Sequence, residues 1–186
     1  MTVVARRATT VLLDTSPFIS FAQAGALVPL AQYLGDRAAI VLDVANELRR
    51  NAAGRFPQLT TLEMLRWPSG EPRSLPPELL ADADALRRLH SPIGAHEAAN
   101  RGEIATVLLA ARVQDALVVM DDELGKKLCR MRGVDRLSTA QLAAEMVAAG
   151  GVDEASGFGV FDAATPAHVG RPAFDDAVVR AKVALG

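Results

Sequence analysis

Short β-branched runs alternate with longer Ala- and Leu-rich stretches along most of this chain, and no other feature of it constrains the fold as strongly. Strands separated by helix-length segments form βαβ units, in which each crossover returns the chain to the same sheet edge, so the strands run parallel. Residues 10–13 read as the first strand, ending at Asp14. Ser16 is placed as an N-cap with Pro17 at the first helical position, and the helix runs to about Ala24 before Gly25. A second helix covers residues 26–34. Residues 39–42 read as the second strand, followed by a helix over 44–50 that Asp43 can cap. Residues 62–67 are a candidate short strand, and residues 77–90 carry the apolar spacing of a helix that Ser91-Pro92-Ile93-Gly94 ends. The next helix starts at Glu97 or Arg101 and reaches Arg112. A strand over 116–120 then runs into Asp121-Asp122, followed by a helix over 123–132, a last strand over 134–137, and a helix over 139–149 capped by Ser138. The expected class is α/β, with a central parallel sheet flanked by helices in three layers.

Gly150-Gly151 marks a boundary between a domain over residues 1–150 and an appendage over residues 151–186. In the appendage, residues 152–171 are weakly patterned and a terminal helix covers about 172–185. Half of the 186 residues are hydrophobic but only 4% are aromatic, so the core must be aliphatic. With 20 basic and 22 acidic residues the net charge is −2, which excludes a chain that coats nucleic acid by bulk charge. The one cysteine, Cys129, excludes an internal disulfide and a Cys-based zinc site, and is expected to pack on a helix face. The apolar run that follows Arg6 and Arg7 stops at Asp14, too short for a signal or membrane segment, so a soluble cytoplasmic protein without membrane contact is expected.

The acids fall where a parallel sheet would gather them. Asp14 and the Asp121-Asp122 pair directly follow strands, and side chains at the carboxyl ends of parallel strands converge on one crevice. Glu47 lies one helical turn past Asp43, and Glu103 follows Gly102 at the opening of a helix. A glycine there costs about 1 kcal/mol relative to alanine and needs a packing or close-approach reason. Each acid alone has an ordinary explanation as a turn residue, a cap or a solvated helix position. Together, several carboxylates without Cys or His suit a hard, oxygen-seeking cation such as Mg²⁺ or Mn²⁺, which can activate water and stabilise a phosphoryl oxyanion.

Five segments resemble the PIN-domain nucleases. Val11-Leu12-Leu13-Asp14-Thr15-Ser16-Pro17-Phe18-Ile19 resembles their opening motif. Val44-Ala45-Asn46-Glu47-Leu48, Gly102-Glu103-Ile104-Ala105 and Val118-Val119-Met120-Asp121-Asp122 resemble, in order, their later acidic motifs. Leu124-Gly125-Lys126-Lys127-Leu128 resembles the basic helix that trails the last acid. The resemblance covers about residues 10–150. It implies a PIN-like fold with Asp14, Glu47, Glu103 and Asp121 as catalytic and metal-binding acids, and Asp122 as a further ligand or a substitute for Asp121. Ser16 would hydrogen-bond a metal water or ligand, and Arg49, Arg50, Lys126, Lys127 and Arg130 would contact phosphates. It further implies a Mg²⁺-dependent endoribonuclease of the VapC-like toxin type, acting on RNA as a homodimer restrained by a cognate antitoxin.

The alternatives are a PIN-like module that binds RNA or protein without cleaving, and an aspartyl phosphatase. The phosphatase would want a second Asp two residues after Asp14, where this chain has Ser16. His90 and His96 read as loop or surface residues, and Trp67 and Tyr33 are too few for a base-stacking platform.

Overall fold

A computed structural model of the chain describes residues 4–90, 100–165 and 170–186. Four short strands, β1 (Thr10–Leu13), β2 (Ala38–Ala39), β3 (Ala116–Val119) and β4 (Asp135–Leu137), form one sheet in the order β2-β1-β3-β4 with every pairing parallel. The central pair, β1 and β3, runs in register from Thr10 opposite Ala116 to Leu13 opposite Val119. Val11, Leu12, Leu13, Val118 and Val119 are wholly buried, as befits strands covered on both faces.

The helices are α1 (Thr15–Gln23), α2 (Leu27–Leu34), α3 (Leu42–Ala52), α4 (Thr60–Leu65), α5 (Pro77–His90), α6 (Arg101–Ala110), α7 (Glu123–Arg132), α8 (Thr139–Ala148), α9 (Glu154–Ala164) and α10 (Gly170–Leu185). One group gathers around α6 (α3, α5 and α7) and another around α8 (α1, α9 and α10), giving a three-layer α/β arrangement about the sheet. One aliphatic core runs through both layers, from Ala5 to Val160. No helix among the described residues is long and apolar enough to cross a membrane.

Several local expectations are corrected. Residues 60–65 are the helix α4, so the candidate strand over 62–67 does not form; Leu62 faces the core while Met64 is 83% exposed. The second strand shrinks to Ala38–Ala39 because Val41 instead bridges to Arg73 and Leu42 already starts α3. Asp43 therefore lies inside the first turn of α3, and Ser16 inside that of α1, where Asp14 holds the N-cap position. Ser138, in contrast, closes a full capping box with Gln141. The expected end of the fifth helix at Ser91-Pro92-Ile93-Gly94, the alternative start at Glu97, and His96 lie outside the described residues.

Much of the weakly patterned stretch over 152–171 is the helix α9, started by Asp153, whose carboxylate accepts from the Ser156 N–H at 2.9 Å. Gly157 lets it approach α8 closely. A Cβ on Gly157 would stand 2.2 Å from Val147 Cγ2, whereas one on Gly159 would meet Ala24 Cβ at 3.4 Å. Gly157→Ala is therefore expected to destabilise by about 1–3 kcal/mol through overpacking against a stiff side chain. Gly159→Ala has room, and is expected to be neutral or stabilising by up to about 1 kcal/mol. Urea unfolding midpoints of the two variants check this; equal shifts would contradict it.

Because β2 lies on one side of β1 and β3 on the other, the connections leave the sheet in opposite directions between β1 and β3. In open α/β sheets the crevice at the carboxyl ends of the strands at such a switch point is where ligands bind.

Candidate active site

Asp14 follows β1 at that switch point, and its N–H still donates to Val119 O at 3.1 Å. The sheet thus carries its carboxyl to the end of a fully buried strand, where it is 5% exposed. α3 brings Glu47 alongside by burying Val44, Ala45 and Leu48 on its inner face, and the Thr15 hydroxyl donates to Glu47 Oε2 at 2.8 Å. α6 brings Glu103, and the close-approach reason for Gly102 is now visible. A Cβ there would stand 3.3 Å from Val44 Cγ2 and 3.7 Å from Asp14 Oδ1.

The two neighbouring acids after β3 part company. Asp121 directs both carboxylate oxygens to Thr139 at the start of α8, accepting its N–H at 2.9 Å and its hydroxyl at 2.5 Å. Asp122 caps α7, with Oδ1 accepting from the Leu124 and Gly125 N–H groups at 2.7 and 3.1 Å.

Electrostatics separates the same two residues. Burial most of all, then Glu103, with smaller contributions from Glu47 and Asp122, pushes the Asp14 carboxyl from its ordinary 3.8 up to about 7; the Thr15 backbone amide opposes them in part. Burial also raises Glu103, with Asp122 and Glu47 adding to it. Glu47 and Asp122 thus act on both Asp14 and Glu103, and Asp121 is not among the groups acting most strongly on either. Among the described residues, no three carboxylate, imidazole or thiol side chains stand close enough to hold an ion as placed.

Ser16 Oγ is buried without a hydrogen-bond partner among the described residues, one residue past the hydroxyl that holds Glu47. Arg50, Lys127 and Arg130 are exposed on α3 and α7, while Arg49 bonds Asn46 Oδ1 at 2.8 Å and Lys126 pairs with Glu123 at 2.6 Å. Cys129 is buried in the core, which raises its thiol to about 11. Trp67 packs against Phe18, with ring centroids 5.8 Å apart, and Tyr33 donates to Glu145.

Sequence reasoning did not single out Thr15, Thr139 or Arg136, whose guanidinium donates to Met120 O at 2.9 Å just ahead of the acid pair. Thr15 adjoins Asp14 and could have been found from that motif. Thr139 is 18 positions from Asp121, and only the fold brings the two together.

Comparison with curated proteins and with solved structures gives no match. Comparison with protein families gives a match to a PIN domain over residues 10–158, from the first residue of β1 into α9. That match takes in every acid of the cluster and most of the chain. The chain belongs to the PIN-domain family, whose fold is of the nuclease type.

Proposed function

We propose that this protein is a Mg²⁺- or Mn²⁺-dependent endoribonuclease, acting in the cytoplasm as the toxin of a toxin-antitoxin pair. The observation that carries the reading is the buried Asp14 carboxyl at the switch point, lifted to about 7 by burial first and then by Glu103, with Glu47 and Asp122 adding to it. Carboxylates gathered at such a cost are stabilised by a cation, and an all-oxygen donor set without Cys or His suits a hard divalent one.

Asp14, Glu103 and Asp122 would hold the ion directly or through waters, since no three acids among the described residues stand close enough to share it as placed. When bound, it supplies Lewis-acid polarisation of a phosphoryl oxygen and a more acidic water. Thr15 fixes one oxygen of Glu47 and leaves the other to orient a water or accept its proton. Ser16, with its hydroxyl unpartnered, supplies a further hydrogen bond to water or phosphate. Arg49, Arg50, Lys127 and Arg130 meet flanking phosphates, while Lys126 does so only by releasing Glu123. Asp121 acts through Thr139 as a positioning residue that ties the end of β3 to α8. The reading brings with it an RNA substrate, a cognate antitoxin and a homodimer.

The test is cleavage of structured RNA by the purified protein with Mg²⁺, with Mn²⁺ and with chelator. Asp14→Asn and Asp122→Asn are expected to lower kcat/KM at least about 100-fold, and Asp121→Asn by much less, its main cost being about 1–3 kcal/mol of stability. Metal-independent cleavage, or cleavage that survives Asp14→Asn, contradicts the proposal. The second reading, a PIN-like module that binds RNA or protein without cleaving it, draws on the spacing of the acids, no three of which now stand within reach of one ion among the described residues. Binding of RNA by a wild type that cleaves under none of these conditions would favour it.

A further inference from the structure

A cavity of about 270 Å³ lies between α5, α6 and the start of α3, on the helices that carry Glu47 and Glu103. Leu80 and Ile104 supply apolar walls, and Asp43, Asp84, Arg87 and Arg101 supply the charges. Asp43 precedes Glu47 by one turn of α3, about 6 Å along the helix axis, and Arg101 and Ile104 bracket Glu103 on α6. The cavity therefore lies on the same two helices as Glu47 and Glu103, within about one helical turn of each along the helix axis.

We propose that this cavity is a nucleobase pocket that takes the guanine of the nucleotide next to the scissile phosphate, a specificity element that rests on the nuclease reading above. Among the described residues two carboxylates and two guanidiniums line it, so their charges balance and offer a phosphate little net attraction. A neutral heterocycle with donors and acceptors on its edge matches that lining, and its faces suit the apolar walls. Arg87 has capacity to spare. Its Nε–H is buried with no acceptor among the described residues, and its guanidinium stands 3.7 Å from the Asp84 carboxylate. Guanine presents N7 and O6 as paired acceptors for an arginine fork, and its amino group can donate to a carboxylate such as Asp43 or Asp84. Reading an unstacked base by its edge is the ordinary means of sequence recognition in single-stranded RNA.

Two measurements test the pocket. In the first, kcat/KM is compared across short oligoribonucleotides that differ only in the base on either side of the cleaved bond. A preference for guanine of about tenfold or more at one of these positions is expected, falling to near parity in Arg87→Gln and in Arg87→Lys, which keeps the charge but lacks the fork. Absence of a preference, preference for another base, or a guanine preference unchanged in both variants overturns the proposal. In the second, the wild-type protein is titrated with guanosine, with adenosine and with inorganic phosphate, and amide resonances are followed by NMR. Saturable shifts at Arg101 and Ile104 with guanosine alone support the pocket; equal shifts with adenosine, or shifts with phosphate in place of guanosine, overturn it. If guanosine binds there but no RNA is cleaved, the nuclease reading falls and the pocket stands. If RNA is cleaved without base preference and guanosine does not bind, the pocket falls and the nuclease reading stands.

Discussion

Replacing Asp14 with Asn should stabilise the metal-free protein at pH 8 by about 2–4 kcal/mol while removing RNA cleavage. The wild-type carboxyl sits at the end of a central strand, 5% exposed, and burial with its acidic neighbours raises it from 3.8 to about 7. A carboxyl with a raised pKa is held protonated by the fold more firmly than by the unfolded chain. Its stabilising contribution is complete below about pH 4 and is lost as pH rises through about 7. At about 1.36 kcal/mol per pH unit the full loss is on the order of 4 kcal/mol. An asparagine side chain carries no charge at any pH, so the difference between variant and wild type should open between about pH 4 and pH 8 and close again in acid. Saturating Mg²⁺ should restore stability to the wild type and leave the Asp14→Asn protein nearly unchanged. Urea unfolding of both proteins over this pH range, in chelator and in Mg²⁺, is the measurement; parallel curves at every pH would remove the electrostatic account of the cluster.

Which acids belong to the cluster was legible in part. Asp14 and Glu103 stand out because one follows a strand run and the other opens a helical pattern, features written locally in the chain, while Glu47, one turn past Asp43 inside a helix, stands out only in combination with them. The choice between Asp121 and Asp122 was not legible. Consecutive side chains at a strand end point to opposite faces, and which face looks toward Asp14 depends on packing. Thr139, far along the chain, takes both oxygens of Asp121, and the preference for Asp122 in the proposed site rests on that contact. The same division runs through the fold. α7, bounded by Asp122 and Gly133, follows from its cap residues, and β1 and β3 from their β-branched runs. β2 is cut short by a bridge to Arg73, and α9 forms where Gly157 and Gly159 admit neighbours, both effects of contacts distant in sequence.

A large loss of stability from a single polar side chain is expected at Glu145, which local pattern gave no reason to notice. This carboxylate lies on α8, 2% exposed, in an otherwise Ala-rich inner face. Its Oε2 accepts the Ala5 N–H at 2.8 Å, and its Oε1 accepts the Arg6 N–H at 2.9 Å and the Tyr33 hydroxyl at 2.7 Å. Arg37 completes the fastening by donating to Ala5 O at 2.6 Å and Tyr33 O at 2.7 Å. The segment held this way leads directly into β1, and so into Asp14. Glu145→Ala leaves three donors without an acceptor at a cost of about 1–3 kcal/mol each when buried; Arg6 and Tyr33 recover part of this from solvent, so about 3–5 kcal/mol is expected overall. Tyr33→Phe, which removes one bond, should cost about 1 kcal/mol. Burial first, and then the bond to Glu145, hold the Tyr33 phenol above its ordinary value of 10, so the clamp keeps its proton into alkali. Because Tyr33 is the only tyrosine in the chain, its ultraviolet titration reports this bond alone. In Glu145→Ala that titration should move back toward the ordinary value, and the Ala5 and Arg6 amides should exchange with solvent faster than those of β3. A variant with a wild-type unfolding midpoint and an unmoved tyrosine titration would show that the N-terminal segment is held by its apolar contacts instead.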